Sequence, residues 1–251
     1  PVGGHKGLLA YLVRRLLENG ANSSFVNRMA DAEVPVTELT TDPVGDLATL
    51  EPRRNPAIPL PADIFLDRKN SHGVDLADPL VREPLLADLR ALDGREWAAA
   101  PTVLAGKGGE TLEVRSPQDN GAVVGQVLYA GAKDIDLAFT RAVAAQFGWD
   151  ALGGMGRAAL LDRAADLYEA HTAEFISLCQ REAGKTLLDA VLEVREAVDF
   201  LRYYAAEARR EFAGPHPMPG PTGEDNSLHL HGRGVFATIS PWNFPLAIFT
   251  G

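Results

Sequence analysis

Two clusters in this chain combine residue types and spacing in a way that suits chemistry. The first is the run Gly234-Val-Phe-Ala-Thr-Ile-Ser-Pro-Trp-Asn-Phe-Pro-Leu246. Pro241 and Pro245 bracket Trp242, Asn243 and Phe244. Each proline fixes its own φ and keeps the residue before it out of the helical region. The three bracketed residues therefore follow an extended, preset path that presents the Asn243 amide. An amide held this way can donate to a developing oxyanion without reorganising, and one such donor contributes about 3–4 kcal/mol. The same residues also read as a proline-stiffened turn in which Asn243 caps local backbone. An oxyanion site needs a nucleophile, and Cys179, the single cysteine, does not fit the role. It lies in an amphipathic helical pattern beside Leu178, without a helix start or a paired histidine nearby, as a buried structural thiol would.

The second cluster is Tyr11-Leu-Val-Arg14-Arg15-Leu-Leu-Glu18. Helical spacing puts Tyr11, Arg15 and Glu18 on one face, with Arg14 alongside. Two neighbouring guanidiniums can clamp one small carboxylate with forked hydrogen bonds, which lysine does poorly. The Tyr11 ring could cover the apolar carbons of such a ligand. The plainer reading is a solvated helix with an Arg14–Glu18 pair contributing about a few tenths of a kcal/mol.

The elements that would position these groups follow from pattern. Leu8, Leu12 and Leu16 predict a helix over 5–19 stopped at Asn19-Gly20. From Asp31 to about Pro84 eight prolines and no sustained periodicity predict a linker or an extended segment lying over another surface. A short helix is expected over Leu85–Leu92. Thr111–Arg115 and Ala122–Ala130 alternate as strands do. Helices follow over 134–147, capped by Lys133 or Asp134, and over 157–179. The clearest helix is marked by Leu187, Val191, Val194, Val198, Leu201, Ala205, Ala208 and Phe212, with Glu193, Arg195, Glu196, Arg202 and Arg209 outside the stripe. After a Pro/Gly-rich loop, strands are expected at Ser227–His231 and Val235–Ile239, the second delivering the Asn243 loop at its carboxyl end, where open α/β sheets bind ligands.

Composition bounds the partners. A net charge of −10 opposes a nucleic-acid or anionic-membrane surface as the main partner. A single cysteine excludes a disulfide framework and cysteine-rich metal sites and fits a reducing compartment. No run approaches the ~18 apolar residues of a transmembrane helix. Beginning at Pro1 and stopping inside a motif, the chain is expected to be an internal piece of a longer protein.

The run Gly234–Leu246 resembles the aldehyde dehydrogenase superfamily signature, and Glu182-Ala-Gly-Lys185 resembles a helix end of the same superfamily. The resemblance implies that Val235–Ile239 opens the NAD-binding sheet and that Ile239, Ser240, Pro241 and Trp242 contact NAD. It places Asn243 in the oxyanion hole of the thiohemiacetal. It also implies that the catalytic Cys, the general-base Glu, the ribose-binding Lys and the Gly-rich cofactor turn lie beyond residue 251. The segment Tyr11-Leu-Val-Arg-Arg-Leu-Leu-Glu-Asn-Gly-Ala-Asn-Ser-Ser-Phe-Val-Asn27 resembles the last helix of the proline dehydrogenase barrel in the bifunctional proline utilization A family. There the paired arginines, here Arg14 and Arg15, bind the proline carboxylate and Tyr11 packs on the substrate. Glu18, with Ser24 and Phe25, falls where the family closes around FAD. Asn70-Ser-His-Gly-Val-Asp-Leu76 and Arg195-Glu-Ala-Val-Asp-Phe-Leu-Arg-Tyr-Tyr204 are similar to that family too, so the resemblance covers the whole chain.

By this resemblance the fold is α/β. Residues 1–30 would end a (β/α)8 proline dehydrogenase barrel, 31–95 would form a connector, and 96–251 would be the amino-terminal part of an aldehyde-dehydrogenase-type Rossmann-like domain. The parent protein would oxidise L-proline to pyrroline-5-carboxylate on FAD, with a quinone as electron acceptor. It would then oxidise glutamate semialdehyde to L-glutamate with NAD. The family implies a cytoplasmic homo-oligomer and allows peripheral association with the inner membrane face; some of its members bind DNA, but the acidic balance and the lack of a basic patch indicate no nucleic acid for this chain, and no metal is expected. The chain on its own would be inactive and bind neither cofactor tightly. The rival readings are a monofunctional NAD-dependent aldehyde dehydrogenase with an amino-terminal extension, and a non-catalytic, DNA-binding regulator of proline utilization.

Overall fold

A computed structural model describes residues 4–20 and 25–251; the Glu18 side chain and Ser24, both named above, lie outside the described parts. The chain divides into two units, Pro1–Ile58 and Pro59–Gly251.

In the first unit α1 spans His5–Gly20, α2 Phe25–Ala30, α3 Val36–Leu39 and α4 Pro43–Thr49. The linker reading of the Pro-rich stretch needs correction, since two short helices form inside it. α4 shows why: Asp42 accepts from the Val44 amide at 3.0 Å and Pro43 supplies the first helical φ, a local start that needs no hydrophobic period. None of the described residues of this unit is buried. Leu9, Leu12, Val13, Leu16 and Leu17 of α1 are all exposed, so α1 carries an apolar face that its own unit leaves uncovered.

The second unit holds the core. A 3-10 turn at Pro61–Asp63 precedes α5, Pro79–Ala91, which begins six residues earlier than expected because Asp78 caps it and Pro79 stands at its start. Then come β1 (Trp97–Ala99), β2 (Thr111–Arg115) and β3 (Val123–Leu128). They form one small sheet in the order β1-β3-β2, with β1 parallel and β2 antiparallel to β3. α6 covers Ala132–Ala151, α7 Gly153–Ala170, α8 Thr172–Ala183 and α9 Leu187–Glu211. The cap of α6 is Gly131 rather than Lys133 or Asp134. Asp134 instead reaches back, accepting from the Gly131 amide at 2.8 Å and the Ala105 amide at 2.6 Å, and these amides hold its carboxyl below the usual carboxylate range.

The single helix expected over 157–179 is two, broken at His171. Thr172 Oγ1 donates to the Glu169 and Tyr168 carbonyls, competing with the helical ladder where the chain turns. α7, α8 and α9 enclose a core of Ala165, Ile176, Cys179, Ala190, Val191, Val194, Ala197, Val198 and Leu201. The stripe read on α9 is its buried face. Two charges placed outside that stripe, Glu193 and Arg202, are nevertheless buried. The close approach of α7 to α9 depends on Gly154, where an added Cβ would fall 2.2 Å from the Ala208 carbonyl oxygen.

Past α9, β4 (His216–Met218) and β5 (Asn226–Leu228) form an antiparallel pair, so the expected strand Ser227–His231 is displaced toward Asn226 and the preceding loop contains a strand. The expected strand Val235–Ile239 does not form. A strand exists only through hydrogen bonds to a neighbour, and no described residue pairs with this stretch. The chain ends in α10, Ala247–Thr250. No described helix is long and apolar enough to cross a membrane.

Candidate active-site loop

The Asn243 loop is built from its two anchors. α8 ends at Gly184 in the left-handed conformation, φ 67°. The Gly184 amide donates to the Gln180 carbonyl at 3.1 Å and the Lys185 amide to the Cys179 carbonyl at 3.2 Å, a glycine-terminated helix end. Thr186 then caps α9, its hydroxyl accepting from the Asp189 amide at 3.2 Å. This reversal sets Lys185 beside α9, with Nζ 2.8 Å from Glu193 Oε1. The contact is an ion pair off hydrogen-bond alignment. The other carboxylate oxygen, Oε2, accepts from the amides of Ala247 at 2.8 Å and Leu246 at 3.3 Å. Lys185 Nζ also lies 4.7 Å from the centre of the Phe244 ring. Glu193 is only 2% exposed. A carboxylate that deep is costly unless charge and hydrogen bonds compensate it, and here a cation and two amides do so.

The other anchor is Asp150 at the end of α6. Its Oδ1 accepts from the Gly232 amide at 2.9 Å and from Arg157 Nη1 at 3.1 Å. Both ends of the loop are thus held by ion-paired carboxylates that receive backbone amides. Between them, residues 233–245 show no backbone hydrogen bond among the described residues. Ile239 is 97% and Trp242 89% exposed. Asn243 is exposed, its position set by Pro241 and Pro245 on either side and by Leu246, which is buried in the core. The run Ile239–Trp242 forms no strand, makes no backbone hydrogen bond among the described residues, and leaves the Ile239 and Trp242 side chains uncovered. That suits a nucleotide lying against backbone, although it lacks the strand geometry expected for it.

Cys179 lies 4% exposed in the core. Burial, aided by the nearby Glu193 charge, pushes its thiol up to about 12. That fits an inert packing thiol, since the nucleophile is the thiolate.

A second polar cluster fastens the segment at Asn70–Ser71 to α7 and α9. Ser71 donates from its amide and hydroxyl to Asp199 at 2.7 and 2.8 Å, and Arg195 Nε donates to Ser71 Oγ at 3.3 Å. Arg202 donates to the Asn70 carbonyl at 3.3 Å and to Glu169 Oε2 at 2.6 Å. The residues missed in the sequence are therefore Asp150, Lys185, Glu193 and Arg202. One signal was available: Ala190, Glu193, Ala197 and Leu201 recur at intervals of three and four, so Glu193 occupies a core position of α9.

In the first unit, the described part of the Tyr11 cluster lies on α1. Arg15 Nη2 donates to Tyr11 Oη at 3.4 Å, with the guanidinium 5.6 Å from the ring centre. Arg14 is exposed and, as the residue before Arg15, projects about 100° from it around the helix. The structure thus brings Tyr11 and Arg15 together. A cation and a ring side by side suit a carboxylate ligand. No described cluster of His, Cys, Asp or Glu could hold a metal.

The helix-packed α/β unit and its anchored Pro-Trp-Asn-Phe-Pro loop have counterparts among known proteins. The aldehyde dehydrogenase family model matches residues 104–251, and the chain belongs to that family. A proline dehydrogenase model matches residues 1–28. The Bifunctional protein PutA of Escherichia coli (strain K12) is 43% identical over 262 residues, covering 100% of this chain and 19% of that protein. The 1-pyrroline-5-carboxylate dehydrogenase of Staphylococcus saprophyticus is 31% identical over 185 residues, covering 72% of this chain and 36% of that one. A crystal structure of bifunctional proline utilization A (PutA) superposes with a TM-score of 0.75 at 45% identity, covering 100% of this chain and 23% of that one. The chain thus spans about a fifth of the length of the curated PutA relatives it matches.

Proposed function

We propose that this chain is part of a bifunctional proline-catabolic enzyme, with residues 1–30 closing a proline dehydrogenase barrel, 31–95 connecting, and 96–251 opening an aldehyde dehydrogenase domain. The observation that carries this reading is the similarity to PutA along all of the chain at 43% identity, with separate family matches at its two ends. In the first reaction Arg14 and Arg15 hold the carboxylate of L-proline and Tyr11 covers its ring. FAD, when bound by the parent protein, would supply the electron acceptor and a quinone would reoxidise it; a cytoplasmic homo-oligomer with at most peripheral membrane contact completes the reading. In the second reaction the Asn243 amide donates to the oxygen of glutamate semialdehyde as negative charge develops on it. Ile239, Ser240, Pro241 and Trp242 would contact NAD, which would supply the hydride acceptor.

The full-length gene product, assayed for L-proline-dependent dye reduction and for NAD reduction with glutamate semialdehyde, should show both activities. NAD reduction without proline oxidation would replace this reading with a monofunctional dehydrogenase, and neither activity combined with a gel shift on operator DNA would replace it with a regulator.

A further inference from the structure

Glu193 is a buried charge that helix packing does not require. Its neighbours along the same ladder of α9, Ala190, Ala197 and Leu201, are apolar. A methionine or leucine there would bury apolar surface at no ionic cost. What the carboxylate does instead is reach across to the chain just beyond the Asn243 loop, taking the amides of Leu246 and Ala247 on one oxygen and Lys185 on the other.

We propose that Glu193, held by Lys185, is a positioning residue for Asn243, fixing the oxyanion-binding amide from behind. This rests on the reading of Asn243 as the oxyanion donor. The lever is short. From the Leu246 amide back to Asn243 the chain passes only Pro245, whose φ is fixed, and Phe244, whose ring lies under the Lys185 ammonium. A shift of the Leu246–Ala247 backbone is therefore passed to the Asn243 Cα with few torsions to absorb it. A carboxylate grips two amides more strongly than a neutral acceptor, because charge-assisted hydrogen bonds are shorter and about twice as strong. The cation beside it keeps the buried charge compensated. A misplacement of about 1 Å in a catalytic group can cost about a hundredfold in rate, so an anchor remote from the substrate can govern kcat without touching it.

The test uses the full-length enzyme, with glutamate semialdehyde and NAD as substrates. Asn243→Ala should lower kcat by about a hundredfold or more. Glu193→Met keeps volume but removes the acceptor. It should lower kcat by about ten- to a hundredfold while both KM values move less than about threefold. Glu193→Gln restores an acceptor oxygen and should recover most of that loss. The Glu193→Met/Asn243→Ala double variant should be no slower than Asn243→Ala alone, because the anchor acts only through the amide. Amide exchange at Leu246 and Ala247 should quicken in Glu193→Met and stay slow in Glu193→Gln.

If Asn243→Ala keeps the wild-type kcat, the oxyanion reading fails, and the positioning role with it. If Asn243→Ala is slow but Glu193→Met is not, or if the two losses multiply, Glu193 has no positioning role and the oxyanion reading stands. Should Glu193→Met yield no soluble enzyme, Lys185→Met takes its place under the same criteria: a lowered kcat that does not multiply with Asn243→Ala supports the proposal, and an unchanged or multiplying kcat overturns it.

Discussion

The two candidate sites are held in different ways. Tyr11, Arg14 and Arg15 depend on one helix whose unit has no buried residue among those described, so their relative placement comes from helical spacing and from the Arg15–Tyr11 contact. The Asn243 loop has almost no local structure. It is fixed by carboxylates from two helices of a packed unit, Asp150 on one side and Glu193 on the other. Spacing along a helix can be read directly from residue types. Anchoring by distant residues cannot, because the partners are brought together by folding.

This contrast sets what substitutions should do. Asn243→Ala in the full-length enzyme should cost about 3–4 kcal/mol of transition-state stabilisation, seen as a fall in kcat for semialdehyde oxidation with little change in KM. Ile176→Ala removes a fully buried core side chain and should lower the unfolding free energy of the chain by about 3 kcal/mol in urea titration. Leu16→Ala on the exposed face of α1 should stay within about 0.5 kcal/mol by the same measurement; an equal loss at both positions would show that α1 has a core of its own. Arg15→Met should raise the KM for L-proline about tenfold or more, as expected for a lost charge-assisted hydrogen bond, and leave thermal unfolding unchanged.

The weakest signal belongs to Cys179. Its folded thiol sits near 12, above the ~8.5 of an unfolded cysteine. Its contribution to stability is therefore complete below about pH 8.5 and is lost as pH rises through the folded value, because only the unfolded chain ionises in that window. Stability measured from pH 8 to 11 should fall less steeply in Cys179→Ala. Iodoacetamide should label the native chain slowly and the urea-unfolded chain fast.

The α9 helix was legible in full: a stripe running from Leu187 to Phe212 became Leu187–Glu211 with Phe212 at its cap. Thr111–Arg115 was read to the residue, because alternation and bounding turns are local. Charge type puts Glu193 and Arg202 outside the stripe, whereas their position on the ladder buries them. Their burial is explained by Lys185, Asn70 and Glu169, which folding brings to them. The break at His171 escaped notice because the apolar spacing runs through it, whereas the competing hydroxyl of Thr172 is a matter of geometry. Val235–Ile239 has the composition of a strand, yet strandness is shared with a neighbour, and none of the described residues provides one. The residue types of the Asn243 loop are legible in the sequence; its anchors are not.

That missing neighbour affects how the chain behaves in solution. Phe236, Ile239 and Trp242 stand uncovered on a stretch that makes no backbone hydrogen bond among the described residues, which makes it a ready template for a second molecule to add to. If copies of the purified chain associate through this stretch, Ile239→Lys should raise its solubility limit while leaving its unfolding curve in place.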